Sequence, residues 1–193
     1  MSYVGWDSTS YGNLEKITAQ RPRVSFSKRD IKSNDIPAQV NFVTSQSAIE
    51  HVPQDLRFFR PIHTAAKPDC RWIFQVHLFQ SASCLALYRG HGVRQYTSRT
   101  VAKITAMFDA FSECALFHLG GRRCNTIHSQ YITSPRLHGK RDRRECASVD
   151  YRRDVHAAIL EDSGKAEEAS FWALIINSHS DRPLVPLIRA ARF

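Results

Sequence analysis

The chain has 193 residues, of which 42% are hydrophobic and 10% aromatic, so it can form the core of one domain of ordinary size. No apolar run approaches the roughly 18 residues that a membrane-spanning helix needs. Segment 1–7 lacks the basic and apolar regions of a secretory signal. These observations predict a soluble intracellular protein and leave its function open.

The chain is basic, and much of its positive charge lies in one stretch. Its 27 Lys and Arg against 18 Asp and Glu give a net charge of +9, and residues 121–153 contain nine of these cations but three acids. Such a stretch attracts phosphate groups of RNA or nucleotides, or an acidic partner, although a solvated loop has the same composition. The predicted anion-binding or nucleotide-binding residues are Arg122, Arg123, Arg141, Arg143, Arg144, Arg89 and Arg94.

The five cysteines favour free thiols over a disulfide framework, because their number is odd and the chain is expected inside the cell. One spacing, Cys114-x3-His118 followed by Cys124-x3-His128, has the ligand types of a tetrahedral zinc site. No Cys-x2-Cys pair accompanies it, and the first pair falls on a predicted helix. We therefore expect buried cysteines, structural histidines and no metal.

The first 35 residues are polar and interrupted by glycine and proline, yet they contain three large aromatic side chains. We predict that residues 1–35 form an extended N-terminal arm and that residues 36–193 form a single domain. Tyr3, Trp6 and Tyr11 are expected to contact another copy of the chain, since Tyr and Trp are enriched in interface cores. A frayed tail with chance aromatics is the alternative.

Period-two alternation predicts the strands of the domain. The clearest strand is 71–79, because both of its faces are largely apolar, and one face consists of Trp72, Phe74, Val76 and Leu78. A small polar link separates it from 84–88, which we predict as the second strand of a hairpin. Further extended segments are expected at 37–44, at 171–176 and, interrupted by Pro186, at 184–188.

The best helix candidate is 100–119, where apolar residues recur at spacings of three and four. Thr100 is placed to cap its start, and Gly120 and Gly121 would end it. Its apolar positions are Val101, Ile104, Phe108, Phe111, Ala115 and Leu119. Of the remaining segments, 121–153 is predicted to be irregular, 154–161 to be a short helix and 165–169 to be a turn. Together these elements predict an α+β fold, with strands flanking one central helix.

The motifs of several common enzyme classes are missing from the sequence, which has no Walker loop, Gly-x-Ser-x-Gly elbow or His-Glu-x-x-His. Leu87-Tyr88-Arg89-Gly90 is similar to the start of ADP-ribosyltransferases, in which a strand-borne arginine holds the phosphates of NAD. The Ser motif and the catalytic Glu that come later in such enzymes would correspond to Ile132-Thr133-Ser134 and Glu167-Glu168. The acidic or Gln residue that usually stands two positions before the catalytic Glu is missing here. An ADP-ribosyltransferase-like enzyme is thus one alternative.

Several short segments follow one another in an order that indicates a family. They are Ser33-Asn34, Leu85-Ala86-Leu87, Asp109-x-Phe111-x-x-Cys114, Tyr131-Ile132-Thr133-Ser134-Pro135 and Ile176-Asn177-Ser178-His179-Ser180. In this order the chain resembles the polyhedrins of cypoviruses, which are the matrix proteins of viral occlusion bodies. The resemblance spans roughly residues 33–180, and it depends on the common order rather than on one specific motif.

The resemblance implies a structural protein and not an enzyme, with a compact β-sandwich-like core, flanking helices and no catalytic cofactor. It implies homotrimers that pack into a crystalline occlusion body, which forms in the host cytoplasm and embeds virions. It further implies nucleoside triphosphates bound between subunits as structural anions, and dissolution of the crystal in an alkaline insect gut. A basic RNA-binding accessory protein, supported by the cations of 121–153, is the second alternative.

Overall fold

The computed structural model describes residues 2–7, 12–28, 36–67, 72–87, 93–165 and 168–178. The first elements are β1 (Tyr3–Asp7), α1 (Gly12–Gln20), β2 (Val24–Lys28), β3 (Phe42–Gln46), α2 (Asp55–Ala65) and β4 (Ile73–Gln80). They are followed by α3 (Ser98–Thr105), β5 (Ser112–Leu119), α4 (Arg122–His128), α5 (Ser134–Leu137), α6 (Ser148–Asp162) and β6 (Phe171–Ser178). None of the described helices is long and apolar enough to cross a membrane.

The strands form two sheets. β1 and β2 pair in parallel, and the larger sheet has the order β3-β4-β6-β5. β3 and β4 run parallel because α2 lies between them in the chain, whereas β6 is antiparallel to both β4 and β5. Parallel strands joined through helices give a mixed sheet flanked by helices, so the predicted β-sandwich-like core is wrong.

Helix α2 contributes to the main core through one face. Its buried residues Asp55, Phe59 and Ile62 recur at spacings of four and three, which places them on the same side of the helix. Phe59 and Ile62 are buried together with Ile73 and Phe79 of β4. Full burial of a side chain such as Phe59 contributes about 2–3 kcal/mol, so this face fixes the position of α2 on the sheet.

The predicted strand at 71–79 is confirmed as β4, but the more polar of its faces is the buried one. Gln75 and His77 are fully buried, whereas Trp72, just before the strand, is 43% exposed. The rings of Phe58 and Phe59 on α2 pack edge-on against the His77 ring, with centroids 5.7 and 5.0 Å away. Packing of α2 thus selects the face that carries the polar side chains.

The predicted helix at 100–119 is wrong in its second half. α3 ends at Thr105, and β5 follows, paired along its whole length with β6. The helix also begins before Thr100, because Thr97 is its N-cap and its hydroxyl accepts a hydrogen bond from the Thr100 amide at 3.2 Å. The apolar spacing fits a helix throughout, and pairing with β6, which is distant in sequence, decides the outcome.

Two further predictions of local structure are wrong. Residues 84–87 do not form a hairpin strand, because a 3-10 helix (Ala82–Cys84) and a turn follow β4, and residue 88 lies outside the described residues. The basic stretch 121–153 is not irregular, because α4, a π-helical turn (Ser129–Thr133), α5 and part of α6 occupy much of it. The short helix predicted at 154–161 is the second half of α6.

Other strand predictions agree better with the structure. The segment at 171–176 is confirmed as β6, which extends to Ser178. The strand expected at 37–44 begins later, since β3 starts at Phe42. Segment 184–188 lies outside the described residues, and so does part of the turn predicted at 165–169.

Where residues 1–35 are described, they form β1, α1 and β2 rather than an extended arm. The Tyr3 ring packs edge-on against Phe26 of the same chain, at a centroid distance of 6.0 Å, and Tyr3 remains 49% exposed. Trp6 is half-buried, and Tyr11 lies outside the described residues. Contact of these aromatics with another copy stays a prediction.

His77 is the centre of a buried polar network in the larger sheet. Its Nδ1 lies 2.8 Å from Ser45 Oγ on β3, and its Nε2 lies 3.1 Å from Gln75 Oε1. Because Gln75 Oε1 can only accept, Nε2 carries the proton and Nδ1 accepts a hydrogen bond from the Ser45 hydroxyl. Burial lowers the pKa of His77 to about 3, so the ring is neutral at neutral pH.

We predict that acid weakens folding through His77. The unfolded chain binds this proton near pH 6.5 and the folded chain only near pH 3, so stability is lost as the pH falls from 6.5 towards 3. One such proton contributes about 1.4 kcal/mol per pH unit. His77→Gln should reduce the slope of the free energy of unfolding against pH by this amount, measured by urea denaturation between roughly pH 5.5 and pH 4.

The matched control is His156→Gln, since His156 is exposed on α6 and is not buried by folding. This variant should keep the acid dependence of the original chain. If His77→Gln has the same slope as the control, His77 is not the neutral buried group described above.

Candidate functional site

The carboxyl ends of the parallel strands β3 and β4 carry a group of buried polar side chains. Ser47, directly after β3, has a φ of 46°, which L residues rarely adopt, and its amide donates to the Leu78 carbonyl at 2.9 Å. This turn leads into a 3-10 helix (Ile49–His51) in which Glu50 is fully buried. Unusual backbone conformations cluster at functional sites, and open α/β sheets bind ligands at this end.

Five of these residues form what we call the Asp55 cluster: Glu50, Asp55, Gln80, Arg94 and Tyr96. Asp55 begins α2, and its Oδ1 pairs with Arg94 Nη1 at 2.8 Å while its Oδ2 accepts a hydrogen bond from the Tyr96 hydroxyl at 3.0 Å. Arg94 also donates to the Pro53 carbonyl. A buried carboxylate is costly unless it is paired and hydrogen-bonded, and both oxygens of Asp55 meet that requirement.

Tyr96 ties the loop after β4 to the sheet. Its amide donates to the Gln80 carbonyl at 3.1 Å, and its own carbonyl accepts from the Ala82 amide at 2.9 Å and from Trp172 Nε1 at 3.1 Å. Burial, followed by the charge and the hydrogen bond of Asp55, raises the pKa of Tyr96 far above its usual range. Tyr96 therefore stays protonated at neutral pH and donates to Asp55.

Three polar atoms in or beside the Asp55 cluster have no hydrogen-bond partner within the described part of the chain: Gln80 Oε1, Arg94 Nε and Gln95 Oε1. Gln80 is only 2% exposed. Buried polar atoms without a partner are rare in folded proteins, because each costs roughly 1–3 kcal/mol. We therefore expect these atoms to bind water or a ligand.

A second acidic residue stands at the carboxyl end of a parallel strand. β1 ends in Asp7, and β1, α1 and β2 form a parallel β–α–β unit. Ligands of open α/β sheets bind outside the carboxyl ends of the strands. Residues 8–11, between β1 and α1, lie outside the described residues. Asp7 is therefore a candidate ligand-binding residue by its position.

The predicted anion-binding arginines fall into separate groups. Arg94 belongs to the Asp55 cluster, and Arg89 lies outside the described residues. Arg122 and Arg123 begin α4 and form exposed ion pairs with glutamates, at 2.8 and 3.5 Å. The last group, in the loop between α5 and α6, consists of Arg141, Arg143 and Arg144. Anion binding by these residues stays a prediction.

The two Cys/His pairs do not come together as a zinc site. Cys114 and His118 lie on β5, and Cys124 and His128 lie on α4. Within the described ranges, no group of three or more His, Cys, Asp or Glu side chains could hold a metal ion. Burial, with the Asp109 charge, raises the pKa of Cys114 to about 12, so its thiol stays protonated and unreactive at neutral pH.

Sequence reasoning does not identify Glu50, Asp55, Gln80 or Tyr96 as site residues. The available signal is the segment 47–51, which contains Glu50, follows β3 and precedes the amphipathic helix α2. Acidic residues at such a strand end are typical of ligand-binding loops in α/β sheets. The sequence shows neither Arg94 nor Tyr96 near Asp55, because the contacts span 39 and 41 residues.

Comparison with known proteins identifies the fold. No protein-family model and no curated protein sequence matches the chain. Among solved structures, the cyclase SpnF, 13% identical, superposes with a TM-score of 0.56 over 94% of this chain and 67% of its own. A Haemonchus contortus phosphoethanolamine N-methyltransferase 2 in complex with S-adenosyl-L-methionine, 14% identical, gives 0.55 over 92% of this chain and 43% of its own.

A third solved structure, an S-adenosylmethionine-dependent methyltransferase of Mesorhizobium loti, is 17% identical and has a TM-score of 0.50. It matches 91% of this chain over 80% of its own. The chain has the Rossmann-like fold of S-adenosylmethionine-dependent methyltransferases, with a mixed sheet flanked by helices. It spans about two thirds of SpnF and less than half of the Haemonchus protein.

These structures overturn the family resemblance. The chain is not a polyhedrin, and the implied occlusion-body function is wrong. The fold also counts against the expectations of no enzymatic activity and no catalytic cofactor, because solved methyltransferases share it and one of them holds S-adenosyl-L-methionine. The fold indicates neither an RNA-binding accessory protein nor an ADP-ribosyltransferase.

We predict that Tyr96→Phe lowers the free energy of unfolding by about 1–2 kcal/mol, because it removes one hydrogen bond from the buried Asp55. Arg94→Ala should lower it by about 3 kcal/mol, since the carboxylate then lacks its cation. Urea denaturation of each variant at neutral pH measures both effects.

Tyr151→Phe is the matched control, because Tyr151 is only half-buried and packs through its ring against Tyr131. The control should change the free energy of unfolding by less than about 0.5 kcal/mol. An equal loss in Tyr96→Phe and Tyr151→Phe would contradict the role given to the Tyr96 hydroxyl.

Proposed function

We propose that this chain is a methyltransferase, or part of one, that uses S-adenosylmethionine. The observation that carries the proposal is the Asp55 cluster at the carboxyl ends of β3 and β4, in a fold shared with S-adenosylmethionine-dependent methyltransferases. A complex of one matching structure with S-adenosyl-L-methionine supports it. Ligands of open α/β sheets bind at this end of the strands, where the unpartnered polar atoms lie.

The residues of the chain fit this cofactor in their chemistry. Asp7 lies at the carboxyl end of β1, the end at which ligands of open sheets bind, and a carboxylate can accept hydrogen bonds from ribose hydroxyls. At the end of β3, the carboxylates of Glu50 and Asp55 outnumber the one cation of the Asp55 cluster, Arg94, and this excess of negative charge favours a cationic ligand. Gln80 supplies a buried acceptor that has no partner within the described chain. When bound, S-adenosylmethionine supplies a methyl group on a positively charged sulfur.

Contacts between residues of the chain fix the positions of the loops at this end of the sheet. Arg94 and Tyr96 hold Asp55 from two directions, and Tyr96 fixes the loop after β4 through its backbone bonds. Tyr96 stays protonated and buried, so it is a positioning residue and not a general base. These contacts restrict motion around Gln80, which lowers the entropy that binding must overcome.

The reaction itself belongs to the proposal, because a shared fold can carry different chemistry. SpnF, which matches with a TM-score of 0.56, is a cyclase. Cyclisation without methyl transfer is therefore the second candidate function. Binding of the cofactor and transfer of its methyl group must be measured separately.

We predict that the chain binds S-adenosylhomocysteine, and that Asp7→Asn weakens this binding at least about tenfold, or about 1.4 kcal/mol. The isosteric amide loses the charge that favours the ribose hydroxyls. Isothermal titration calorimetry measures the dissociation constant. The control is Glu15→Gln, an equal charge change at an exposed position on α1, which should leave the affinity unchanged.

The reaction is tested with S-adenosylmethionine labelled in its methyl group and a panel of acceptors with free amines, hydroxyls or phosphates. Labelled product requires methyl transfer, and binding without any labelled product favours the cyclase alternative. No binding of S-adenosylhomocysteine by the folded chain would contradict the proposed function.

A further inference from the structure

A dense run of cations lies between α5 and α6. We call residues 136–144 the basic loop. It contains five cations and one carboxylate, Asp142, which is an excess of four positive charges. A solvated loop with such a composition would vary in shape, and binding of an anion would then first have to order it.

The basic loop is instead held by its own contacts. Asp142 accepts hydrogen bonds from Arg136 at 2.8 Å and from Arg144 at 3.1 Å, and these two guanidinium groups hold the pKa of Asp142 far below its usual range. The Lys140 amide donates to the Pro135 carbonyl at 2.9 Å. The single acid of the loop thus fixes two of its arginines.

The other cations of the loop are available for a ligand. Lys140 and Arg141 are exposed and form no ion pair with any described residue. The Arg143 guanidinium lies 5.5 Å from the centre of the Tyr131 ring, and the Arg143 amide donates to the Tyr131 carbonyl at 2.8 Å. This arrangement presents three cations on a loop of defined shape, which lowers the cost of binding an anion.

The basic loop follows a segment that is hydrogen-bonded to the turn after β4, the strand whose end carries Gln80 of the Asp55 cluster. The Thr133 hydroxyl, just before α5, donates to the Leu87 carbonyl at 3.3 Å. Leu87 belongs to the turn that follows β4 and its 3-10 helix. The positive charge of the loop also acts on His128. Burial is the largest cause that lowers the pKa of His128 to about 4, and the charges of Arg144 and Arg136 lower it further.

We propose that the basic loop binds the phosphate groups of the methyl acceptor through Lys140, Arg141 and Arg143. The proposal deepens the function proposed above, because it gives the acceptor a chemical class: a molecule that carries several phosphates. Guanidinium groups bind phosphate oxygens in pairs, and several neighbouring cations match several phosphates better than one. A nucleoside triphosphate and the backbone of an oligonucleotide both supply this chemistry.

The test is direct binding, without S-adenosylmethionine, of two probes by fluorescence polarisation. The probes are a fluorescent nucleoside triphosphate and a fluorescent single-stranded oligonucleotide of about 20 residues. The variant Lys140→Ala/Arg141→Ala/Arg143→Ala should lose at least about tenfold in affinity at about 50 mM salt. For the oligonucleotide, the slope of log affinity against log salt should fall by about 2.

The control is Lys16→Ala/Arg21→Ala/Arg23→Ala, which removes the same charge from exposed positions in or near α1. It should change the affinity less than about twofold. If the triple variant of the basic loop loses affinity for the triphosphate, the acceptor is nucleotide-like. If it loses affinity for the oligonucleotide alone, the acceptor is a nucleic acid bound through its phosphate backbone. Equal losses in the two triple variants, or binding of neither probe, would overturn the proposal.

Loss of Arg143 could unfold the loop, because its side chain contacts the Tyr131 ring. The variant Lys140→Glu/Arg141→Glu avoids this contact and should lower the affinity at least as much. Cofactor binding is not required for either measurement. Failure of the basic loop to bind phosphate therefore leaves the cofactor proposal intact, and failure to bind the cofactor leaves the loop measurement valid.

Discussion

The buried carboxylate of Asp55 is the group on which the arrangement at the carboxyl end of the sheet depends. Its two oxygens join the start of α2 to Arg94 and Tyr96, in the loop that follows β4. Such a carboxylate is tolerated only with both partners in place, so the three segments must form together. Gln80 is buried beside these contacts and its Oε1 has no partner among the described residues, which is why we place the proposed ligand at this end.

The parallel strands impose a second constraint. Parallel sheets are normally covered on both faces and at their edges, yet among the described strands β3 pairs only with β4. Phe42 on β3 and Val4 on β1 are each 41% exposed, so apolar surface remains near both parallel pairs. The described residues contain no strand that joins the two sheets. Asp7 therefore belongs to the smaller sheet, whereas Glu50 lies in the 3-10 helix that follows β3 of the larger sheet.

The sequence predicts the elements whose signal is local and misses those that depend on distant partners. β4 and β6 are apolar runs of strand length, so their hydrophobic pattern alone predicts a strand. β5 is not, because its apolar residues continue the spacing of α3 and only pairing with β6 makes it a strand. The polyhedrin resemblance fails for a related reason: short segments in a common order carry no information about strand pairing. Asp55 likewise cannot be identified as a site residue from the sequence, because its partners Arg94 and Tyr96 are distant from it in the chain.

The central claim is that the carboxyl ends of these strands form a site for S-adenosylmethionine. A crystal structure of the chain grown with S-adenosylhomocysteine tests it most directly. The account predicts that the ligand lies at the carboxyl ends of β3 and β4, beside the Asp55 cluster, and that it contacts Gln80 Oε1, which has no partner among the described residues. Ligand bound at the amino ends of the strands, or a crystal of the folded chain that takes up none, would contradict the claim.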